Sequence, residues 1–341
     1  MKAKELVYLL GLKPKPKSYG YAIAAYNLPR EGRVEVAQWL HPGAYRAAPP
    51  QAAVDQLRRF LRAGDVAVDI GAHTGDSTLP IALAVGPSGL VLALEPNSHV
   101  FPVLERNAGL NPDKTRIMPL MFAAMRADGF YEFQYGEPGY CNGGFHEGMS
   151  KWLHGSAFKL RVEGRNLQDF LMREHPDLIP RLRFIKVDAE GFDLAILETL
   201  EDLIRRQRPY LQVEMFSLRK SVPGYRLNLY NFLVRHGYEV HRMEGDANYV
   251  GDLVTAQNLM RWNVYDVFAS RGAPPARAGR SRRARYGRSG PRPWPAPARR
   301  GRAAPVLPPL PASRPPRRSS ARRSPACERP EPRNAVRPSR P

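Results

Sequence analysis

The residues in this 341-residue chain best suited to chemistry are carboxylates placed at the ends of apolar runs. Asp69 sits near the end of VAVDI and leads into GAHTGD at residues 71–76, Glu95 follows LVLAL, Asp188 and Glu190 follow FIKV in the order D-A-E-G, and Glu214 ends LQVE. Acids of this kind at one edge of a sheet can orient a substrate hydroxyl, take its proton, or hold the ammonium end of a cofactor. Glu95 stands twenty positions beyond Gly75, where a ribose diol would be grasped in an adenosine pocket. A carboxylate there accepts two charge-assisted hydrogen bonds from the ribose hydroxyls. Asp69 is expected to meet the amino-acid portion of the same ligand. Gly71 and Gly75 keep the loop free of Cβ atoms so that the backbone can come close, with His73 and Thr74 between them and Asn97 in the neighbouring loop. Asp69 and Glu95 also fit a plainer reading as strand-end polar residues returning to solvent, and Glu190 fits a first-turn acid at a helix N-terminus.

The loop discriminates between ligands. A dinucleotide fingerprint needs G-x-G-x-x-G, with a middle glycine against the pyrophosphate. Counted from Gly71, this chain has His73 in the middle place and Asp76 in the last. A carboxylate at that helix N-terminus repels phosphate, so NAD ranks last among the candidates. A phosphate-free adenosine ligand with positive charge near the loop fits better, and S-adenosylmethionine, with its sulfonium and α-ammonium, is the expected cofactor. A hydroxyl acceptor must lose a proton, and His73, His146, Asp188, Glu190 and Glu214 are the candidate groups. His99, His154 and His241 lack such a setting. No His/Asp/Glu cluster has dependable metal spacing, although Asp188 and Glu190 could contribute to one, so no metal is expected.

These residues need a scaffold that brings strand tips together. Val66 to Ile70 reads as a buried strand and 76–85 as a helix, followed by strand 90–94, helix 98–108 and strand 116–121. The alternation resumes with helix 166–173, strand 183–188, helix 192–205, strand 209–214, a helix over 225–236, and strands at 238–242 and 263–269. Near-continuous apolar strands alternating with helices predict a parallel, doubly wound α/β sheet of seven strands, covered on both faces. Residues 1–50 read as a hairpin-like leader packed on the main domain of residues 51–270, with one helical face at 54–61. Residues 129–164, aromatic and then Gly/Asn-rich, read as a β-rich insertion that either walls a substrate site or merely extends the sheet.

The net charge of +20 is concentrated at one end. From Gly272 onward there are 19 arginines, no lysine and two acids, whereas the preceding residues carry 33 basic and 30 acidic groups. Arg and Pro fill 36 of those last 70 positions, a composition that cannot offset its ordering entropy, so 271–341 is expected to be disordered. A solvated appendage, a frame-shifted end of a GC-rich gene and a polyanion-binding arm all fit it. Cys141 and Cys327 suggest neither a disulfide framework nor zinc. No secretory signal and no membrane span are expected, which points to a cytoplasmic protein.

The stretches VDIGAHTGDST, ALEPN, LERNAGLN, IKVDAEGFDLAIL and LQVEMF together resemble the FkbM family of methyltransferases over about residues 60–270. That resemblance implies a class I, Rossmann-like seven-stranded sheet with its last strand antiparallel. It also implies S-adenosylmethionine as cofactor, and O-methylation of a hydroxyl on a small-molecule acceptor, a sugar or secondary metabolite. His73 departs from the small polar residue more usual in the loop. The rival reading is a nucleic-acid-binding protein or RNA methyltransferase using the basic arm, against which the near-neutral body argues. Nothing in the sequence indicates the oligomeric state.

Overall fold

Each apolar run that predicts a covered strand is one in the computed structural model, which describes residues 15–44, 46–137, 139–140, 143–144, 158–215, 224–245, 248–262 and 265–272. The chain begins with β1 (Tyr21–Leu28) and β2 (Gly32–Trp39), an antiparallel hairpin, followed by α1 (Gln51–Leu57). The α/β alternation then runs β3 (Val66–Ile70), α2 (Thr78–Val85), β4 (Leu90–Leu94), α3 (Phe101–Ala108) and β5 (Ile117–Leu120). Four strands come next, two of them long and two of only two residues: β6 (Ala123–Ala124), β7 (Gly129–Tyr135), β8 (Gly143–Gly144) and β9 (Phe158–Arg165). The alternation resumes with α4 (Leu167–Glu174), β10 (Leu182–Val187), α5 (Asp193–Thr199), α6 (Glu201–Gln207), β11 (Tyr210–Glu214) and α7 (Tyr225–Arg235), and ends in β12 (Glu239–Glu244), β13 (Tyr249–Leu253) and β14 (Asp266–Ser270).

The main sheet has the order β13-β12-β14-β11-β10-β3-β4-β5. From β5 to β11 the strands are parallel, and β14 enters antiparallel between β11 and β12. With β13 set aside, the strands lie in the chain order third, second, first, fourth, fifth, seventh, sixth, which is the class I methyltransferase sheet. The expected count of seven becomes eight because β13 adds an edge strand on β12. Its sequence, YVGDL, carries a glycine and an aspartate, residues of low strand preference, so composition alone conceals it. The helix expected over 192–205 is two helices that meet at Leu200, and the one expected from 98 starts at Phe101 with a proline in its first turn. Strands β6 to β9 form a separate four-stranded sheet in the order β6-β9-β7-β8 around its own apolar cluster.

The pleat sorts the main strands into two faces. Val66, Val68, Ile70, Ile185, Val187, Leu211, Val213, Val267 and Ala269 share one buried cluster with residues of α4 to α7. Ala67, Val91 and Phe184, one position out of phase, pack instead with residues of α1, α2 and the hairpin. Asp69, Lys186, Gln212, Glu214, Asp266 and Phe268 belong by the same alternation to this second face.

Two amides fasten the hairpin. The buried Asn107 side chain accepts from the Ala37 N–H at 2.7 Å and donates to the Ala37 carbonyl at 3.1 Å and the Thr74 carbonyl at 2.7 Å. Asn111 does the same to both backbone groups of Glu35, each at 2.8 Å. Side chains from the end of α3 thus act on β2 as a neighbouring strand would, and Asn107 links the hairpin to the 71–76 loop. Asn107→Ala is expected to destabilise the protein by about 1–3 kcal/mol, because it strands buried polar groups. Hydrogen exchange should show selective loss of protection at the Ala37 amide, with the central strands unaffected.

Candidate functional site

The site lies at the carboxyl ends of β3, β4, β10 and β11, where an open α/β sheet places its ligands. After β3 the chain turns at Gly71, with φ of 82°, and the Gly71 and Ala72 amides both donate to the Leu94 carbonyl at 3.0 and 2.9 Å. A Cβ at Gly71 would stand 2.0 Å from the Asp188 carbonyl oxygen, so the two loops cross as closely as backbone permits. His73 adopts a left-handed φ of 49°, uncommon for a residue other than glycine, and its N–H donates to Glu95 Oε2 at 2.9 Å. The Asn97 N–H donates to the other Glu95 oxygen at 2.8 Å. Glu95 is 7% exposed and burial raises its pKa, while His73 and the two backbone N–H groups pull the other way. Each of its oxygens retains a lone pair for a further donor. Asn97 is held in turn, its Nδ2 donating to the Tyr140 carbonyl at 2.8 Å.

Asp69 does not sit where the sequence suggests. It is fully buried, and one of its oxygens accepts from Ser77 Oγ at 2.8 Å and Thr78 Oγ1 at 2.7 Å. Its other oxygen faces Lys186 Nζ at 3.5 Å. Asp69 therefore does not line the cleft: the first residues of α2 and Lys186 cover it, and its carboxylate is engaged by Ser77, Thr78 and the buried lysine. Lys186 Nζ also lies 3.1 Å from Asp188 Oδ2. Burial works against the Lys186 ammonium, but Asp69 and Asp188 outweigh it and hold its pKa above the usual lysine value.

Glu190 has φ of 51°, and the glycine after it φ of 93°. The bend is held by Asp193, a residue absent from the sequence-derived candidates. Its carboxylate accepts from Ala189 N at 2.9 Å, Gly191 N at 3.0 Å and Tyr225 Oη at 2.8 Å, and burial pushes its pKa up to about 6. Burial, then Asp188, also raises Glu190. Glu214, one pleat repeat beyond Gln212, is pushed up to about 8 by burial and by Asp188, Asp193, Glu190 and Asp266, and its Oε2 is buried with no hydrogen-bond partner. Asp266, opposite Glu214 in register, accepts from Gln212 Nε2 at 2.7 Å and is raised chiefly by burial.

Several of these groups border a cleft of about 390 Å³, within the size range of small-molecule sites, while Asp193 and Glu214 lie outside its lining. Gly71, His73, Glu95, Asn97, Asp188 and Glu190 line it, together with Phe133 and Tyr135 from the smaller sheet. Thr74 and Gly75 lie outside this lining, on a neighbouring cavity. His146 lies outside the described residues. Lys186, Gln212 and Asp266, absent from the sequence-derived candidates, line the cleft, as does Asp76 from the loop before α2. For the three strand residues the signal was a polar side chain in phase with Asp69 inside otherwise apolar strands. Among the described residues, no group of three or more His, Cys, Asp or Glu is placed to hold a metal ion. Nor is any described helix long and apolar enough to cross a membrane.

Residues 69–240, half of the chain, match the methyltransferase FkbM domain. The chain belongs to the FkbM methyltransferase family. No curated protein matches it. Among solved structures, an FkbM methyltransferase from Methylobacillus flagellatus KT is 16% identical with a TM-score of 0.37, over 61% of this chain and 44% of that one. The chain thus spans less than half the length of that relative. Fibrillarin from Aeropyrum pernix, with natively bound S-adenosyl-L-methionine, is 13% identical with a TM-score of 0.37, over 75% of this chain and 99% of that one. TYW2 from P. horikoshii, in complex with MeSAdo, is 12% identical with a TM-score of 0.34, over 78% and 80%.

The cofactor that goes with this family and this sheet is S-adenosylmethionine. The cleft suits it: Glu95 lines the cavity with each oxygen accepting a single backbone N–H, and His73 Nε2 is buried with no hydrogen-bond partner among the described residues. Gly71→Ala is expected to cost about 3 kcal/mol, because backbone strain and overpacking each cost on the order of 1–3 kcal/mol. Urea unfolding of the full chain would read the loss as a lower midpoint with an unchanged slope.

Proposed function

We propose that the chain transfers a methyl group from S-adenosylmethionine to a hydroxyl oxygen of a small-molecule acceptor. The observation that supports this reading is the row of second-face groups at the strand tips, Lys186, Asp188, Gln212, Glu214 and Asp266, running from the cleft that Glu95 borders to a carboxylate with an unpartnered buried oxygen. Glu95 would hold the ribose diol, with Asn97 fixing the loop around it and His73 offering Nε2 to the bound molecule. Bound here, the cofactor supplies a methyl group already made electrophilic by its positive sulfur. An acceptor hydroxyl held at the strand tips would take that methyl group as its proton passes to the protein, giving a methyl ether and S-adenosylhomocysteine.

The protein's tasks are alignment and removal of one proton. Positioning alone is worth roughly 7–11 kcal/mol. Asp188, held by Lys186, orients the hydroxyl, while Glu214 takes its proton. With a pKa near 8, Glu214 carries its proton at neutral pH and is a competent base only as pH rises through that value. Glu190, left-handed and fixed by Asp193, shapes the wall between them.

Two outcomes test the reading. By calorimetry, Glu95→Ala should weaken S-adenosylhomocysteine binding by about tenfold or more, as expected for loss of charge-assisted hydrogen bonds worth ~1.5–3 kcal/mol each. Equal binding by the variant would remove Glu95 from the ribose site. With an acceptor that the wild type turns over, the rate should climb with pH to about 8 and then level. Glu214→Gln should lose that climb and fall about 100-fold, the smaller end of general-base contributions. An unchanged profile would assign the proton to another group.

A further inference from the structure

A second cavity, of about 640 Å³, lies over the second face of the sheet, between β2, the segment that follows it, α1 and α2. It shares His73, Asp76, Ser77, Lys186, Gln212 and Asn248 with the cofactor cleft, so the two spaces border the same side chains at the strand tips. The shared end runs from the loop after β3, with His73, Asp76 and Ser77, to Lys186 of β10 and Gln212 of β11, while Glu95 lines the cofactor cleft and not this cavity. Beyond it the walls change character. Trp39, Ala53, Leu57, Phe60, Leu79 and Phe268 are apolar, and the charged side chains lining the cavity among the described residues are Asp76 and Lys186, both at the shared end. Of the neutral amides, Gln38 Nε2 already donates to the Ala47 carbonyl at 3.1 Å and Gln56 Oε1 already accepts from Arg59 at 3.1 Å.

We propose that this cavity is the acceptor site, and that the acceptor is an uncharged, mainly apolar molecule whose hydroxyl reaches the strand tips beside Lys186, Asp188 and Gln212. This rests on the cofactor reading above, because the shared end is where the reacting hydroxyl would stand. A phosphate or carboxylate buried in the cavity would find one cation, Lys186, which already faces Asp69 and Asp188. An unpaired buried charge is too costly to persist. A sugar would bring a ring of hydroxyls to walls whose amides Gln38, Gln56, Asn107 and Gln212 already hold partners within the protein, and its unmade hydrogen bonds would count against it. Trp39, Ala53, Leu57 and Phe60 all precede residue 69, where the family domain begins, so acceptor choice rests partly on a segment outside that domain.

The test uses the full chain saturated with S-adenosylhomocysteine, N-phenyl-1-naphthylamine as an uncharged fluorescent probe, and decan-1-ol and glucose as competitors. The probe is expected to bind saturably and to be displaced by decan-1-ol but not by glucose. Ala53→Trp, which fills the cavity from α1, should raise the decan-1-ol competition constant by about tenfold or more while S-adenosylhomocysteine affinity changes by less than about twofold. Ala48→Trp, at an exposed position on the same wall, should act in the same direction and decides the matter if the first variant does not fold. The proposal is overturned if S-adenosylhomocysteine expels the probe, if glucose competes and decan-1-ol does not, or if a folded variant binds decan-1-ol as the wild type does. Failure of the wild type to bind S-adenosylhomocysteine, measured first by calorimetry, would count against the cofactor reading alone. Probe binding and its loss in the tryptophan variants would still decide the cavity.

Discussion

The buried ammonium of Lys186, set between Asp69 and Asp188, is the interaction on which the site depends. The three groups come from adjacent strands, with Asp69 directly beside Lys186 in register and Asp188 just past the end of β10. Removing a charge from water is expensive, and an ion pair offsets that cost only when its geometry is good and its remaining polar atoms are occupied. Ser77 and Thr78 occupy one Asp69 oxygen and tie it to the first residues of α2, while the other oxygen faces the ammonium at 3.5 Å. Asp188 is the partly exposed arm of the pair and reaches the cleft. The lysine thereby couples the loop after β3 to the loop after β10, so neither can shift without uncovering a charge.

That coupling explains why the two loops tolerate unusual backbone. Gly71 touches the Asp188 carbonyl at a spacing no Cβ permits, and His73 and Glu190 hold left-handed conformations on either side of it. Such conformations persist where the surroundings over-determine them. Here the determining groups are buried carboxylates: Glu95 caps the His73 amide, and Asp193 binds the amides on both sides of Glu190. Glu95 also lines the cavity, whereas Asp193 is fully buried and spent on the two amides and Tyr225, so one acid faces the cleft and the other holds its shape. Asn107 extends the chain of connections to the hairpin, so the roof of the second cavity is fastened to the same loop that borders the first.

Much of this was legible in the chain itself. The alternation of apolar runs and helical faces is local, recurring within ten or so residues, and it located the strands of the parallel sheet and the acids at their tips. The loop GAHTGD carried its own argument against pyrophosphate, and D-A-E-G carried the family resemblance. Where the reading went astray, nonlocal packing was responsible. The position of Asp69 at the end of an apolar run points to a ligand, but Thr78 of α2 and Lys186 of the neighbouring strand cover it. Leu200 divided a helix that periodicity left whole, and β13 pairs through backbone groups that composition does not register.

The amino-acid sequence by itself determined which elements form and which acids stand near the carboxyl edge, because periodicity and strand length are properties of neighbouring residues. Only the tertiary structure decided which of those acids is free to act. Lys186 is separated from Asp69 by more than a hundred residues and becomes its partner only when β10 inserts beside β3. The same assembly gives Glu214 its raised pKa, which comes from burial and then from acids on other strands and loops, and it buries Oε2 with no hydrogen-bond partner among the described residues. Burial and like charge act through space, and that space exists only once the sheet has closed.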